Sequence, residues 1–140
     1  MSDKILIGLF IFALLGFADT SYLSAKQYIV GEAVPCSIVE GCEQVLNSAY
    51  SKVGPIPLAF FGLAYYFIIL LLTAIYWEFK LDTIARVLGW LTVLGFISSL
   101  VLLAIQAFIL NAYCTYCLIS FVTSSALFAL VHNHRLRRSK

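Results

Sequence analysis

Four cysteines in two groups are the residues of this chain best suited to chemistry. Cys36 and Cys42 enclose five residues of an irregular segment, and Cys114-Thr-Tyr-Cys117 forms a CxxC motif further along. Residues three apart lie on one face of a helix, so the CxxC pair can close into a small, reducible ring. A helix N-terminus also stabilises a thiolate. The pattern favours two dithiol pairs that exchange electrons.

Three interpretations of these cysteines remain open from the residues alone. They could form structural disulfides in a non-enzymatic membrane scaffold, bind one zinc ion through four sulfurs, or act as an electron relay. A helical bundle in lipid does not need disulfides for stability. The C-x5-C and C-x2-C spacings, with no histidine nearby, are unlike a zinc motif. The relay, with no bound metal, is the favoured interpretation.

The elements that must position the cysteines are membrane-spanning helices. The chain of 140 residues is 62% hydrophobic and 11% charged, whereas soluble domains are about a quarter charged. Its net charge of +2 gives no indication of nucleic-acid binding. Four apolar runs predict an all-α integral membrane protein, a four-transmembrane-helix bundle in a single domain over 1–140. The helices are expected at about 5–30, 56–77, 83–110 and 113–132.

The segments between these helices place the cysteines at one end of the bundle. The first helix has no cleavage site after it and is expected to be retained rather than removed as a signal peptide. A long loop follows, with a short interfacial helix expected over 43–51. Asn111 and Ala112 form a tight turn, and Asn111 is expected to be the N-cap of the last helix. Cys114 would then lie in its first turn, with Cys117 about 4.5 Å deeper at about 1.5 Å per residue.

The lysines and arginines predict how the chain is oriented in the membrane. Lys4, Lys80, Arg86, Arg135, Arg137, Arg138 and Lys140 lie at one side, seven in all, against Lys26 and Lys52 at the other. Because cytoplasmic segments carry the excess of basic residues, both termini are expected in the cytoplasm and all four cysteines at the outer face of the cell membrane. Disulfides persist in that compartment.

The motifs together resemble the vitamin K epoxide reductase (VKOR) family over essentially the whole chain. The resemblance is carried by the loop pair Cys36 and Cys42, by Ser48 six positions later, by the stretch Gly54-Pro-Ile-Pro-Leu-Ala-Phe-Phe-Gly62, and by the late CxxC motif. It implies a four-helix bundle around a quinone, either ubiquinone or menaquinone. Four side chains are expected to contact that quinone: Ser48, Phe61, Gln106 and Phe121.

The resemblance also implies a route for electrons. A reduced thioredoxin-like (DsbA-type) partner would attack the loop disulfide, and a freed loop thiol, more readily Cys36, would attack Cys114. Cys117 would be left beside the quinone. Many prokaryotic members carry a fused thioredoxin-like domain. This chain has none after its last helix, so its partner is expected in trans.

Two departures from the animal enzymes bear on the substrate. The animal enzymes carry a tyrosine four residues after the last cysteine, where this chain has Phe121, and an asparagine early in the second span, near Leu58 here. Ordinary quinone reduction coupled to disulfide formation is therefore favoured. The alternative is a vitamin K epoxide or quinone reductase acting in quinone recycling.

One carboxylate within the first span is costly to place in lipid. Asp19 is expected either to join helices through a hydrogen bond or to provide a proton route to the reduced quinone, and the residues leave both roles open.

Overall fold

Four long helices dominate the fold. The computed structural model describes residues 1–30 and 41–140, and the side chains of residues 29, 30, 42, 43 and 138 lie outside the description. Helix α1 spans Asp3–Ala25, and a π-helical turn extends it over Lys26–Val30. Helix α2 is short, at Cys42–Leu46. The other long helices are α3 at Leu58–Phe79, α4 at Asp82–Ile105 and α5 at Thr115–Ser139.

The predicted all-α membrane fold is confirmed. Four of the described helices are long and apolar enough to cross a membrane, with spans at Asp3–Tyr28, Leu58–Phe79, Asp82–Leu110 and Thr115–Arg137. Many large apolar side chains, such as Phe10, Ile97 and Val122, are exposed on the outside of the bundle. An outward apolar surface is what lipid contact requires, because lipid tails replace the protein core as the apolar environment. The chain is therefore a multi-pass membrane protein.

The helix ends differ from the predicted ones where local chemistry intervenes. The second long helix begins at Leu58, two residues late, because Ile56–Pro57 pairs antiparallel with Lys52–Val53 in a small hairpin. Gly54 turns this hairpin with a φ of 64°, a value that favours glycine. The last helix continues to Ser139 rather than ending near 132. Its terminal basic residues suit the negative end of the helix dipole.

The core lies toward the end of the bundle away from the cysteines. It joins α1, α3, α4 and α5 through buried apolar side chains: Leu6, Leu9, Ala13, Tyr66, Ile69, Tyr76, Leu88, Leu127 and Val131. Gly16 allows the Tyr66 ring to pack directly on α1, and Gly95 allows the Tyr65 hydroxyl to approach α4 in the same way. Two glycines thus set how the adjacent tyrosines of α3 are placed.

A second buried cluster positions the segment that contains the CxxC motif. Val45 and Leu46 of α2 pack with Leu23 of α1, and with Ala112 and Cys114. In place of the single helix predicted over 43–51, the chain forms α2 and then a separate 3₁₀ turn at Ala49–Ser51. Helix α2 packs against Ala112 and Cys114, at the start of the CxxC motif.

Candidate functional site

The CxxC motif follows a sharp reversal between α4 and α5. A π-helical turn at Gln106–Leu110 extends α4, and Asn111 ends this turn in the left-handed conformation at φ 48°. π-Helical turns are rare and are frequent at functional sites. The prediction that Asn111 caps α5 is wrong: asparagine tolerates the left-handed conformation, and here it ends the preceding helix. The N-cap of α5 is Cys114, with extended backbone at φ −105°.

The position of Cys114 at the cap determines which sulfur the helix N-terminus stabilises. The backbone N–H groups of Tyr116 and Cys117 donate to the Cys114 sulfur. The Cys117 thiol donates to it as well, and this is the largest of the effects that lower the pKa of Cys114 to about 7, against the opposing effect of burial. Both cysteines are thiols in this structure. The N-terminus of α5 therefore acts on the Cys114 sulfur.

Gly41, the residue before α2, lies directly on the turn that precedes Cys114. Gly41 has a φ of 134°, and a Cβ atom built on it would be 3.1 Å from the Ala112 Cβ and 3.2 Å from the Tyr113 carbonyl oxygen. Glycine at this position permits the close approach. The backbone next to Cys42 is thus within van der Waals contact of the residues that precede Cys114. The predicted loop cysteine Cys36 and the side chain of Cys42 lie outside the described residues. The four-cysteine zinc site would need both sulfurs, so it is not tested by the described residues.

A cavity of about 550 Å³ opens beside the cysteines. Three of the four side chains expected to contact a quinone line it, namely Ser48, Phe61 and Gln106, together with Cys117. Two of the expected site residues, Cys114 and Phe121, do not line the cavity. Cys114 is fully buried. The Phe121 ring packs against Phe96 instead, with 6.3 Å between the ring centroids.

Sequence reasoning did not find several residues of the cavity wall. One face of α4 contributes small and apolar side chains, and α5 adds serines one and two turns below Cys117. These residues are Leu91, Leu94, Gly95, Ser98, Ser99, Leu102, Leu103, Ser120 and Ser124. Their three- and four-residue spacing is a helical signal. The same spacing occurs on the lipid-facing sides, so it could not identify the cavity in advance.

The deep part of the wall contains a polar cluster around Tyr66. Its hydroxyl lies 2.8 Å from the Thr123 hydroxyl and 2.9 Å from the Ser124 hydroxyl. The Ser99 hydroxyl donates to Ser124 at 3.1 Å, so the cluster connects α3, α4 and α5. The Tyr65 hydroxyl is buried with no hydrogen-bond partner among the described residues. A buried donor without a partner is unusual, and in a cavity wall it is available to a ligand oxygen.

Asp19 also lines the cavity, on the α1 side. It lies near enough to interact electrostatically with Cys114, Cys117 and Tyr116. The carboxyl group of the first span thus faces the reactive cysteines. Both predicted roles of Asp19, a hydrogen bond that joins helices and a proton route to the quinone, stay predictions.

The walls suit a planar quinone. They are mostly apolar, as binding sites for such ligands are, and a few polar groups converge on them: the Gln106 amide, the Ser48 hydroxyl and the Tyr65 hydroxyl. The Cys117 thiol is on the same wall. The volume is within the range of about 300–1,000 Å³ found for ligand pockets.

Comparison with known proteins agrees with this arrangement. The family model described as the vitamin K epoxide reductase family matches residues 7–132, which include all of α3 and α4, most of α1 and α5, and all four cysteines. No curated protein sequence matches the chain. The match extends over most of the sequence, and the predicted resemblance is confirmed: the chain belongs to the vitamin K epoxide reductase family.

Proposed function

We propose that this protein is a membrane thiol–disulfide oxidoreductase that passes electrons from a reduced thioredoxin-like partner to a membrane quinone. Proteins of this family are oxidoreductases, linked to thiol and quinone or vitamin K reduction. The observation that carries the proposal is the position of Cys117. It lies on the wall of a cavity that suits a quinone, and its thiol is hydrogen-bonded to Cys114 at the N-cap of the same helix.

The two CxxC sulfurs then have different roles. Cys114 exchanges with the loop, because the residues before it contact Gly41, the residue next to Cys42. Cys117 faces the cavity. In the relay, a loop thiolate from Cys36 or Cys42 attacks the Cys114 sulfur, and a new S–S bond forms. The Cys114–Cys117 bond breaks, and its electron pair goes to Cys117.

The overall reaction balances without a further reagent. The partner dithiol loses two electrons and two protons and becomes a disulfide. A quinone bound in the cavity would supply the acceptor for those two electrons and two protons. The protein's own contribution is to keep bulk water from the Cys117 sulfur, and to hold groups on the wall that can donate to or accept from a ring oxygen. Ser48, Gln106 and Tyr65 are the wall residues suited to this.

The cavity also favours ordinary quinones over vitamin K epoxide. The position near which the animal enzymes have an asparagine is Leu58, and this side chain lines the cavity without any hydrogen-bonding group. Phe121, at the position of the animal tyrosine, packs on Phe96. Neither side chain can donate a hydrogen bond to an epoxide oxygen, so the protein is expected to support disulfide formation by quinone reduction.

The assignment of Cys117 to the cavity can be tested by absorbance. In the Cys114→Ala variant, the Cys117 thiolate should form a charge-transfer band when ubiquinone or menaquinone is added to the purified protein. In the Cys117→Ala variant the band should be absent, and a mixed disulfide of Cys114 with Cys36 or Cys42 should accumulate. A band that requires Cys114 and persists without Cys117 would reverse the two roles.

A further inference from the structure

One residue, Gln106 in the π-helical extension of α4, accepts the hydrogen bonds of the turn that leads into the CxxC motif. Gln106 is almost fully buried, with 3% of its surface exposed. Its backbone carbonyl oxygen accepts from the N–H groups of Asn111 and Ala112, the latter at 3.2 Å. Its side-chain Oε1 accepts from the N–H of Cys114, also at 3.2 Å. Three donors of the turn that leads into the CxxC motif therefore end on one residue.

The other half of the Gln106 amide faces the second cysteine. With Oε1 occupied by the Cys114 N–H, the two Nε2 hydrogens remain to be used, and the amide lies within hydrogen-bonding reach of the Cys117 sulfur. An amide N–H donates, so this contact becomes stronger when the sulfur carries negative charge. The same amide thus holds the backbone of one cysteine and contacts the sulfur of the other.

We propose that Gln106 is a positioning residue of the thiol relay, which holds Cys114 at the N-cap through Oε1 and donates through Nε2 to the Cys117 sulfur as it leaves. When a loop thiolate bonds to Cys114, the Cys114–Cys117 bond breaks and Cys117 becomes a thiolate. A donor already in place stabilises this leaving group without reorganisation. The role rests on the proposed function for its part in the relay. The hydrogen bond itself can be tested without quinone or partner.

The test uses the reduced Cys114→Ala protein, in which residue 114 keeps its backbone N–H. A small neutral alkylating agent, iodoacetamide, is added at neutral pH without quinone, and the rate is followed on the Cys117 peptide by mass spectrometry. Loss of a hydrogen bond to a charged sulfur lowers the thiolate population about tenfold. A thiolate of higher pKa is also a better nucleophile, by about threefold per pKa unit, and this offsets part of the tenfold loss in thiolate population. The added Gln106→Met substitution should therefore slow alkylation about threefold.

The direction in which the alkylation rate of Cys117 changes distinguishes this role from two simpler ones, bracing the turn and contacting the quinone. If Gln106 only braced the turn, Gln106→Met would loosen it, expose Cys117 and speed alkylation. If Gln106 only contacted the quinone, the rate without quinone would not change. Either result overturns the proposal. Asp19 and Tyr116 are the charged or titratable groups, besides Cys114, that interact with Cys117, and the variants leave both intact.

Two further variants complete the experiment. Thr92→Val is the matched control, because Thr92 is a buried polar residue of the same helix whose hydroxyl bonds only the Gly89 carbonyl, at 3.0 Å, among the described groups. It should leave the alkylation rate unchanged. If Gln106→Met does not fold, Gln106→Asn keeps the amide but shortens it by one methylene, and it should slow alkylation in the same direction. Slow alkylation of this variant, combined with failure of the unsubstituted protein to reduce quinone, would refute the proposed function while leaving the hydrogen bond established.

Discussion

The thiol of Cys117 has a measurable effect on the reactivity of Cys114. It donates to the Cys114 sulfur and is the largest cause of the pKa of about 7, against an ordinary value of 9.0 for this group. The pKa of Cys114 is lowered, so its thiolate is present above about pH 7 and is lost as the pH falls through that value. Cys117→Ala removes this donor, whereas Cys117→Ser keeps an O–H in its place.

The size of the effect follows from the two pKa values. At pH 7, a thiol of pKa about 7 is about half ionised, and one of pKa about 9 is about 1% ionised, a difference of about fiftyfold. The more basic thiolate is intrinsically about eightfold more nucleophilic over two pKa units. Cys117→Ala should therefore slow alkylation of Cys114 at pH 7 by about sixfold at most, because the backbone donors of Tyr116 and residue 117 remain.

The assay is the pH dependence of Cys114 alkylation in the two reduced variants, followed on the Cys114 peptide. Cys117→Ser should keep the midpoint near pH 7, and Cys117→Ala should move it upward. The burial of Cys114 is common to both proteins, so it cancels in the comparison. Equal midpoints in the two variants would show that the Cys117 thiol is not the donor that lowers the pKa of Cys114.

Three other predictions concern topology, relay and packing. After reduction, Cys114 should be labelled by a membrane-impermeant thiol reagent from the outer side alone; labelling from the cytoplasm would overturn the orientation predicted from basic residues. Joint replacement of Cys36 and Cys42 by alanine should abolish oxidation of a protein partner yet leave quinone reduction by dithiothreitol, and equal loss with both reductants would exclude a relay. Gly16→Ala should destabilise the bundle by about 1–3 kcal/mol in a thermal unfolding measurement in detergent, because a Cβ at residue 16 would collide with the Tyr66 ring; an unchanged unfolding temperature would show that the ring can move aside.

The fold was largely predictable because lipid imposes one rule on every span. Uninterrupted apolar runs must become helices in a membrane, and the four runs in the sequence did so. The ends of the helices were less predictable, because each end depends on a single residue that can take either of two conformational roles. Asn111 is a good N-cap and also tolerates the left-handed conformation, and the pattern alone could not decide between them.

The candidate site was only partly predictable, because helical spacing gives the relative directions of side chains but not which face of a helix lines the cavity. Ser120 and Ser124 follow Cys117 at three and seven residues, and all three face the cavity. Phe121 follows at four residues and is turned about 40° from Cys117 in the direction opposite to the two serines, at about 3.6 residues per turn. Its ring packs on Phe96 of α4. The role of Gln106 could not be read from the sequence, because its partner is a backbone N–H eight residues away across an irregular turn.

The central claim is that electrons from protein thiols leave through the cavity to a quinone. The most direct measurement mixes the purified protein with a reduced thioredoxin-like protein and follows thiol oxidation and quinone absorbance together, with and without added quinone. The account predicts one quinone reduced for each disulfide formed, no turnover without quinone, and loss of turnover in both the Cys114→Ala and Cys117→Ala variants. Continued oxidation of the partner in the absence of quinone, or turnover that survives loss of Cys117, would contradict it.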